Sequence, residues 1–234
     1  MRPVSETMKK LFAAVLFVYS ASAAAGIQVD ESRVIYNGNA KSASLDIRND
    51  QNDTYMVQTW LDRGDASKTP KDIPIQVIPP VLKLAGNKEA ILRFIYAGQG
   101  LPQDRETVFW VNVQEIPPAP KEANTLQIAV RTRVKLFYRP ASLNTSLEQQ
   151  VENLKWHKQN DTLVVDNAGP LNITFSVLKV KNAAGKQWQV NADMVNAFGK
   201  LTVKLPAGAE SANSVQASYI NDFGGNSTAK QNAL

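Results

Sequence analysis

Leu126-Gln127-Ile128-Ala129-Val130-Arg131-Thr132-Arg133-Val134-Lys135-Leu136-Phe137-Tyr138-Arg139 decides how the rest of this chain is read. Leu126, Ile128 and Val130 share one face at the strand period of two. The run is 14 residues long, against about five or six for an ordinary strand. A strand of that length is expected to protrude beyond a sandwich of about 100 residues or to cross to a neighbour. It ends at Pro140, which cannot donate to a ladder. Alternation alone also suits a core strand with its apolar face turned inward. Lys135 has the opposite parity to the apolar three, so an unbroken strand points it to the other face.

On the N-terminal side lie more short alternating or apolar runs, at 33–36, 41–48, 55–61, 75–78, 90–96 and 108–115. With 126–138 they make seven strands, one immunoglobulin-like domain's worth. Asn49-Asp50-Gln51-Asn52-Asp53 and Arg63-Gly64-Asp65 read as turns. Past Pro140 come further strands at 147–151, 162–166, 173–181, 187–190, 199–205 and 214–220, and helical periodicity is hard to find. The fold class is therefore all-β: two immunoglobulin-like β-sandwich domains, over residues 26–143 and 144–234.

Residues 1–25 read as an export signal. Lys9 and Lys10 supply the positive region, 11–19 the apolar stretch, and Ala23-Ala24-Ala25 a small-residue cleavage site before Gly26. The apolar run is about half of what a spanning helix needs. Either Met1 or Met8 is read as the start. Removing these residues takes Arg2, Glu6, Lys9 and Lys10 with it and lowers the formal charge from +5 to +3. The charge is mild and no run of five basic residues occurs, which disfavours a nucleic-acid partner.

Catalysis is poorly provided for. The chain has no cysteine, so disulfides, thiolate nucleophiles and zinc-thiolate sites are excluded, and one histidine, His157, sits in the polar stretch Trp156-His157-Lys158 and reads as a solvated surface residue. No Gly-x-Ser-x-Gly, His-Glu-x-x-His or phosphate-loop pattern is present. Neither a metal nor a cofactor is expected.

Several motifs in order add a specific reading. Leu101-Pro102-Gln103-Asp104-Arg105-Glu106, Glu115-Ile116-Pro117-Pro118, Leu126-Gln127-Ile128, Val134 through Pro140, and Tyr219-Ile220-Asn221-Asp222-Phe223-Gly224-Gly225 resemble the periplasmic chaperones of the chaperone–usher pilus pathway, over nearly the whole exported chain. The resemblance implies a non-enzymatic periplasmic protein that binds, folds and caps pilus (fimbrial) subunits by strand donation and delivers them to an outer-membrane usher. It implies that Leu126, Ile128 and Val130 are the donated side chains, and that Arg33 with Lys135 anchors the subunit's terminal carboxylate. Glu106, Arg139 and Asp222 correspond to a charge network between the domains, and the free protein is expected to self-associate over the same strand.

Two features depart from the common pattern of that family. The stretch between Glu115 and Leu126 is short, which resembles the short-loop subfamily serving rod-like pili. After Gly225 the polar tail Asn226-Ser227-Thr228-Ala229-Lys230-Gln231-Asn232-Ala233-Leu234 stands where an apolar final strand is usual, so the second domain is expected to lack that strand. The main alternative is an exported immunoglobulin-like binding or adhesion module.

Overall fold

The structure, a computed structural model, describes residues 26–120, 122 and 124–234, so the expected export signal lies outside the described residues. The first half contains β1 (Ile27–Val29), β2 (Arg33–Asn37), β3 (Ala43–Asn49), β4 (Tyr55–Asp62), β5 (Ile75–Ile78), β6 (Val81–Leu84), β7 (Lys88–Tyr96), β8 (Thr107–Ile116) and β9 (Arg131–Arg139). They form two sheets, ordered β1-β3-β7-β5 and β2-β9-β8-β4-β6. Alternation makes the sandwich: in β3, Ala43, Leu45, Ile47 and Asn49 are buried while Ser44, Asp46 and Arg48 face outward. Leu45, Ile47, Leu92, Phe94, Phe109 and Leu136 are fully buried between the sheets.

The second half contains α1 (Leu147–Glu152), β10 (Lys155–Gln159), β11 (Thr162–Asn167), β12 (Ile173–Asn182), β13 (Gln187–Val190), β14 (Met194–Val195), β15 (Gly199–Lys204), β16 (Ala212–Ile220) and β17 (Asn226–Ala233). Sheet β10-β11-β15 packs against β13-β12-β16-β17, with β14 added beside β12. Leu163, Leu171, Ile173, Leu178 and Val215 centre this second core.

Three expectations are corrected. Residues 147–151 form a helix, not a strand. Ser146 caps it, its hydroxyl accepting the Gln149 N–H at 3.2 Å while the Gln149 side chain takes the Ser146 N–H at 3.3 Å. Leu147 and Val151 are buried, four residues apart, a spacing that serves one turn of helix as well as it serves a strand.

The strand expected over 126–139 is a ladder only over Arg131–Arg139, and residues 125–130 are outside regular structure. The tail after Gly225 is not strandless. β17 pairs with β16 from Ile220↔Asn226 to Ser214↔Ala233, and Ala229 and Leu234 pack on the second core. An edge strand with one solvated face is held by backbone hydrogen bonds, which polar side chains leave intact, so composition concealed it. The strands β1, β6, β10 and β14 also escaped the pattern reading, and His157 is exposed on β10.

Truncation after Gly225 tests the tail. It should lower the stability of the second domain by about 2–4 kcal/mol, from lost ladder bonds and apolar cover, and reduce the soluble yield. Thermal unfolding of the truncated chain checks this, and an unchanged midpoint would show that β17 contributes nothing.

Candidate functional site

Ladder register places three side chains in one rung. β2 runs parallel to β9 with Arg33 opposite Lys135, and β8 runs antiparallel on the other edge with Trp110 opposite the same lysine. Val134, Leu136 and Tyr138 turn into the core. Arg133, Lys135, Phe137 and Arg139 belong to the opposite face, which meets the second domain. Both registers of β9 are unbroken within Arg131–Arg139, which keeps Lys135 on the cleft face, whereas residues 126–130 lie outside these ladders. Leu126, Ile128 and Val130 continue the parity of the core-facing set, and the cations occupy the cleft face.

Arg33 donates from Nη1 to the Ile220 carbonyl of the second domain at 2.9 Å, and its guanidinium lies 5.4 Å from the Phe137 ring centre. Its Nε is buried and has no acceptor. Burial lowers the pKa of this guanidinium, with Asp222 and Glu106 working against the fall. A buried, under-satisfied cation of this kind favours an incoming anion.

Lys135 Nζ lies 5.1 Å from the Trp110 ring centre and 3.4 Å from Asp193 Oδ1, a largely exposed carboxylate of the second domain. Arg133 flanks the same indole at 4.7 Å. It is fixed there by Asp62, which accepts from Nη2 on both oxygens at 2.8 Å, and by Asn112 Oδ1 at 3.1 Å from Nε. Trp110, Asp62, Asn112 and Asp193 were not singled out from sequence. A tryptophan facing out of a strand, two residues from an asparagine of the same parity, was the available signal.

The third predicted group also comes together. Arg139 donates from Nε to Glu106 Oε1 at 2.9 Å, and from Nη1 and Nη2 to the Asp222 carboxylate at 2.6 and 2.9 Å. Glu106 Oε2 accepts from the Asn172 backbone N–H at 2.9 Å and from Nδ2 at 3.1 Å, while the Glu106 N–H bonds the Pro170 carbonyl at 2.8 Å. Strands of the first sandwich and loops of the second are thus joined through one half-buried guanidinium. Burial opposes the Arg139 charge, and Asp222 with Glu106 outweighs it, raising the group above its ordinary value. Burial also pushes the Glu106 carboxyl up, more than Arg139 and Asn172 pull it down.

The apolar segment is isolated. Leu126, Ile128 and Val130 are 87, 70 and 40 % exposed. β8 covers one edge of β9 as far as Gln114↔Arg131, whereas β2 reaches only from Asn37↔Arg139 to Arg33↔Lys135. On β2's side, Arg131, Thr132, Arg133 and Val134 have no ladder partner among the described residues. An open edge thus runs from the paired cations to three exposed aliphatic side chains, the geometry that receives a partner strand.

Residues 26–144 match the family described as pili and flagellar-assembly chaperone, PapD N-terminal domain, and residues 149–231 match the pili assembly chaperone PapD, C-terminal domain. The chain belongs to this chaperone family. It is 39% identical to the probable fimbrial chaperone LpfB of Escherichia coli O157:H7, over 93% of this chain and 94% of that protein. The crystal structure of the YadV chaperone superposes with a TM-score of 0.77 at 34% identity, covering 90% of this chain and 100% of that one. The SafB chaperone of Salmonella enterica, solved with the SafA pilin, gives 0.79 at 28% identity, covering 92% and 99%.

Arg139→Ala should cost this chaperone about 3–5 kcal/mol, because it strands Glu106 and Asp222 without their cation. Glu106→Gln should cost far less, since burial already favours the neutral side chain. The pH dependence has a definite sign. A carboxyl raised in the folded state contributes stability below its unfolded pKa and loses it as pH rises through the folded value. The wild type should therefore lose stability relative to Glu106→Gln as pH is raised from about 4 towards neutrality. Parallel melting curves in that window test it, and curves with a constant offset would refute it.

Proposed function

We propose that this chaperone binds pilus subunits by laying Leu126, Ile128 and Val130 into the incomplete sheet of the subunit, while Arg33 and Lys135 hold the subunit's terminal carboxylate. The observation that carries the reading is the open edge of β9, which joins three exposed aliphatic residues to a rung of two cations, one with a buried donor left over. Burial of the three side chains contributes on the order of 1.5–3 kcal/mol each, before ordering costs. Two charge-assisted hydrogen bonds at the carboxylate set the register, because a shift of one residue would turn the aliphatic set to the wrong face. The SafA–SafB complex, a pilin held by a chaperone of this shape, supports the partner class.

In this reading residues 1–25 direct export and are removed, and the protein works in the periplasm as two domains, 26–143 and 144–234, without catalysing a reaction. The short stretch between Glu115 and Leu126 supports membership of the short-loop group. It hands its subunit to an outer-membrane usher, and the free protein covers the same open edge by self-association. Glu106, Arg139 and Asp222 set the angle between the domains and hence the cleft.

Co-purification of tagged protein from a periplasmic extract tests the reading. The wild type should carry a pilus subunit in about equal amount. Lys135→Ala should lose it while remaining folded. Ile128→Asp, at an exposed position, should weaken retention about tenfold or more, because a carboxylate would have to be desolvated, and should leave the melting temperature unchanged. Normal retention by Lys135→Ala would rule out the carboxylate anchor.

A further inference from the structure

Glu115 stands at the root of the exposed segment, where the β8–β9 ladder ends. Its own N–H donates to the Val130 carbonyl at 3.0 Å. The Val130 N–H does not return to a backbone oxygen but to Glu115 Oε1 at 3.3 Å. Both backbone groups of Val130 thus bond Glu115, the carbonyl also accepting from Gln114 Nε2 at 3.2 Å, and the four residues before it have no ladder partner among the described residues. Glu115 is buried on the core-facing side of β8, in line with Phe109, Val111 and Val113.

The other carboxylate oxygen, Oε2, accepts the Ile27 N–H at 2.9 Å. No lysine, arginine or histidine among the described residues makes an ion pair with it. Two amide donors satisfy its hydrogen bonding but do not neutralise it, and a buried carboxylate without a cation is costly.

The chain beside it supplies a second observation. Gly26 is buried, and a Cβ there would lie 2.7 Å from Glu115 Oε2 and 2.9 Å from the Tyr55 ring. Residue 26 is therefore held with its Cα against the carboxylate, at a distance that only glycine permits. The small-residue run Ala23-Ala24-Ala25 puts the expected cleavage between Ala25 and Gly26. Hydrolysis of that peptide bond turns the Gly26 nitrogen from an amide into an α-ammonium on this same Cα, next to the Ile27 N–H that already bonds Oε2.

We propose that the α-ammonium of Gly26, created when residues 1–25 are removed, is the counter-ion of Glu115, and that the pair fixes Val130 and with it the root of the donated segment. Signal removal then completes the subunit-binding edge as well as freeing the protein. The unprocessed chain holds Val130 through a carboxylate lacking its cation. The consequence for subunit binding rests on the strand-donation reading above, whereas the ion pair itself does not.

Three forms of the exported sequence separate the possibilities: the secreted protein, a cytosol-made form that keeps methionine and glutamine before Gly26, and a form acetylated at Gly26. N-terminal sequencing of the secreted protein should begin at Gly26. Amide hydrogen exchange at Val130 and Ile27 should be slower by about tenfold or more in the Gly26-ammonium form than in the other two, the worth of a hydrogen bond to a charged group. In Glu115→Gln the three forms should exchange alike. A start elsewhere than Gly26, equal exchange in the three wild-type forms, or a difference that survives Glu115→Gln would each overturn the pair. Pilin retention is measured alongside. Its loss in every form would fail the strand-donation reading and leave the exchange comparison intact, and equal retention despite different exchange would remove the link between processing and binding.

Discussion

Between Lys135 and Tyr138, β9 is paired along both edges, to β2 on one side and β8 on the other; from Arg131 to Val134 only β8 remains, and over residues 126–129 neither does. This stepwise loss of partners organises the molecule. The doubly paired end anchors the strand in the first core, through Leu136 and Tyr138, and turns Lys135, Phe137 and Arg139 toward the second domain. The singly paired part offers backbone donors and acceptors to another chain. The unpaired part leaves its backbone free on both edges as well as its side chains. Exposed edges invite uncontrolled pairing, and here the edge is short and flanked by Arg131, Arg133 and Lys135, which limits which strand can enter.

The cleft depends on a fixed relation between the two sandwiches, and a small number of polar contacts supplies it. Arg139 spans Glu106 and Asp222, Arg33 reaches the Ile220 carbonyl, and Glu106 grips Asn172 and Pro170. Such buried charge clusters add little net stability over apolar packing. In the proposed reading their value lies in direction: the Arg139 fork accepts one arrangement of its two carboxylates, which would orient the second domain rather than merely attach it. The same desolvation that raises the Glu106 carboxyl lowers the pKa of Arg33, the cation with an unused donor.

Much of the first domain was legible from alternation. β3, β4, β7 and β8 are half-buried strands whose inward residues are mostly apolar, and the period of two survives in the structure. The failures have physical causes. Leu147 and Val151 fit either period, and the Ser146–Gln149 cap decided for helix. β17 is an edge strand held by its backbone, with few apolar residues to betray it. Over residues 126–130 the alternation is that of a strand, yet no neighbour in this chain supplies the other half of the ladder.

The sequence by itself determined that the chain is all-β, that it lacks cysteine chemistry, and that Leu126, Ile128 and Val130 share a parity opposite to that of Lys135, because a two-residue period is a property of the extended backbone alone. Its motifs also named Arg33, Glu106 and Asp222, residues far from Lys135 and Arg139 along the chain. Only the tertiary structure decided that Arg33 stands opposite Lys135, that Trp110 completes their rung, and that Glu115 meets Gly26 and Val130 at the root of the open segment. Those neighbours are 15 to 102 residues apart in sequence, and strand order and register, which local pattern does not encode, bring them within reach.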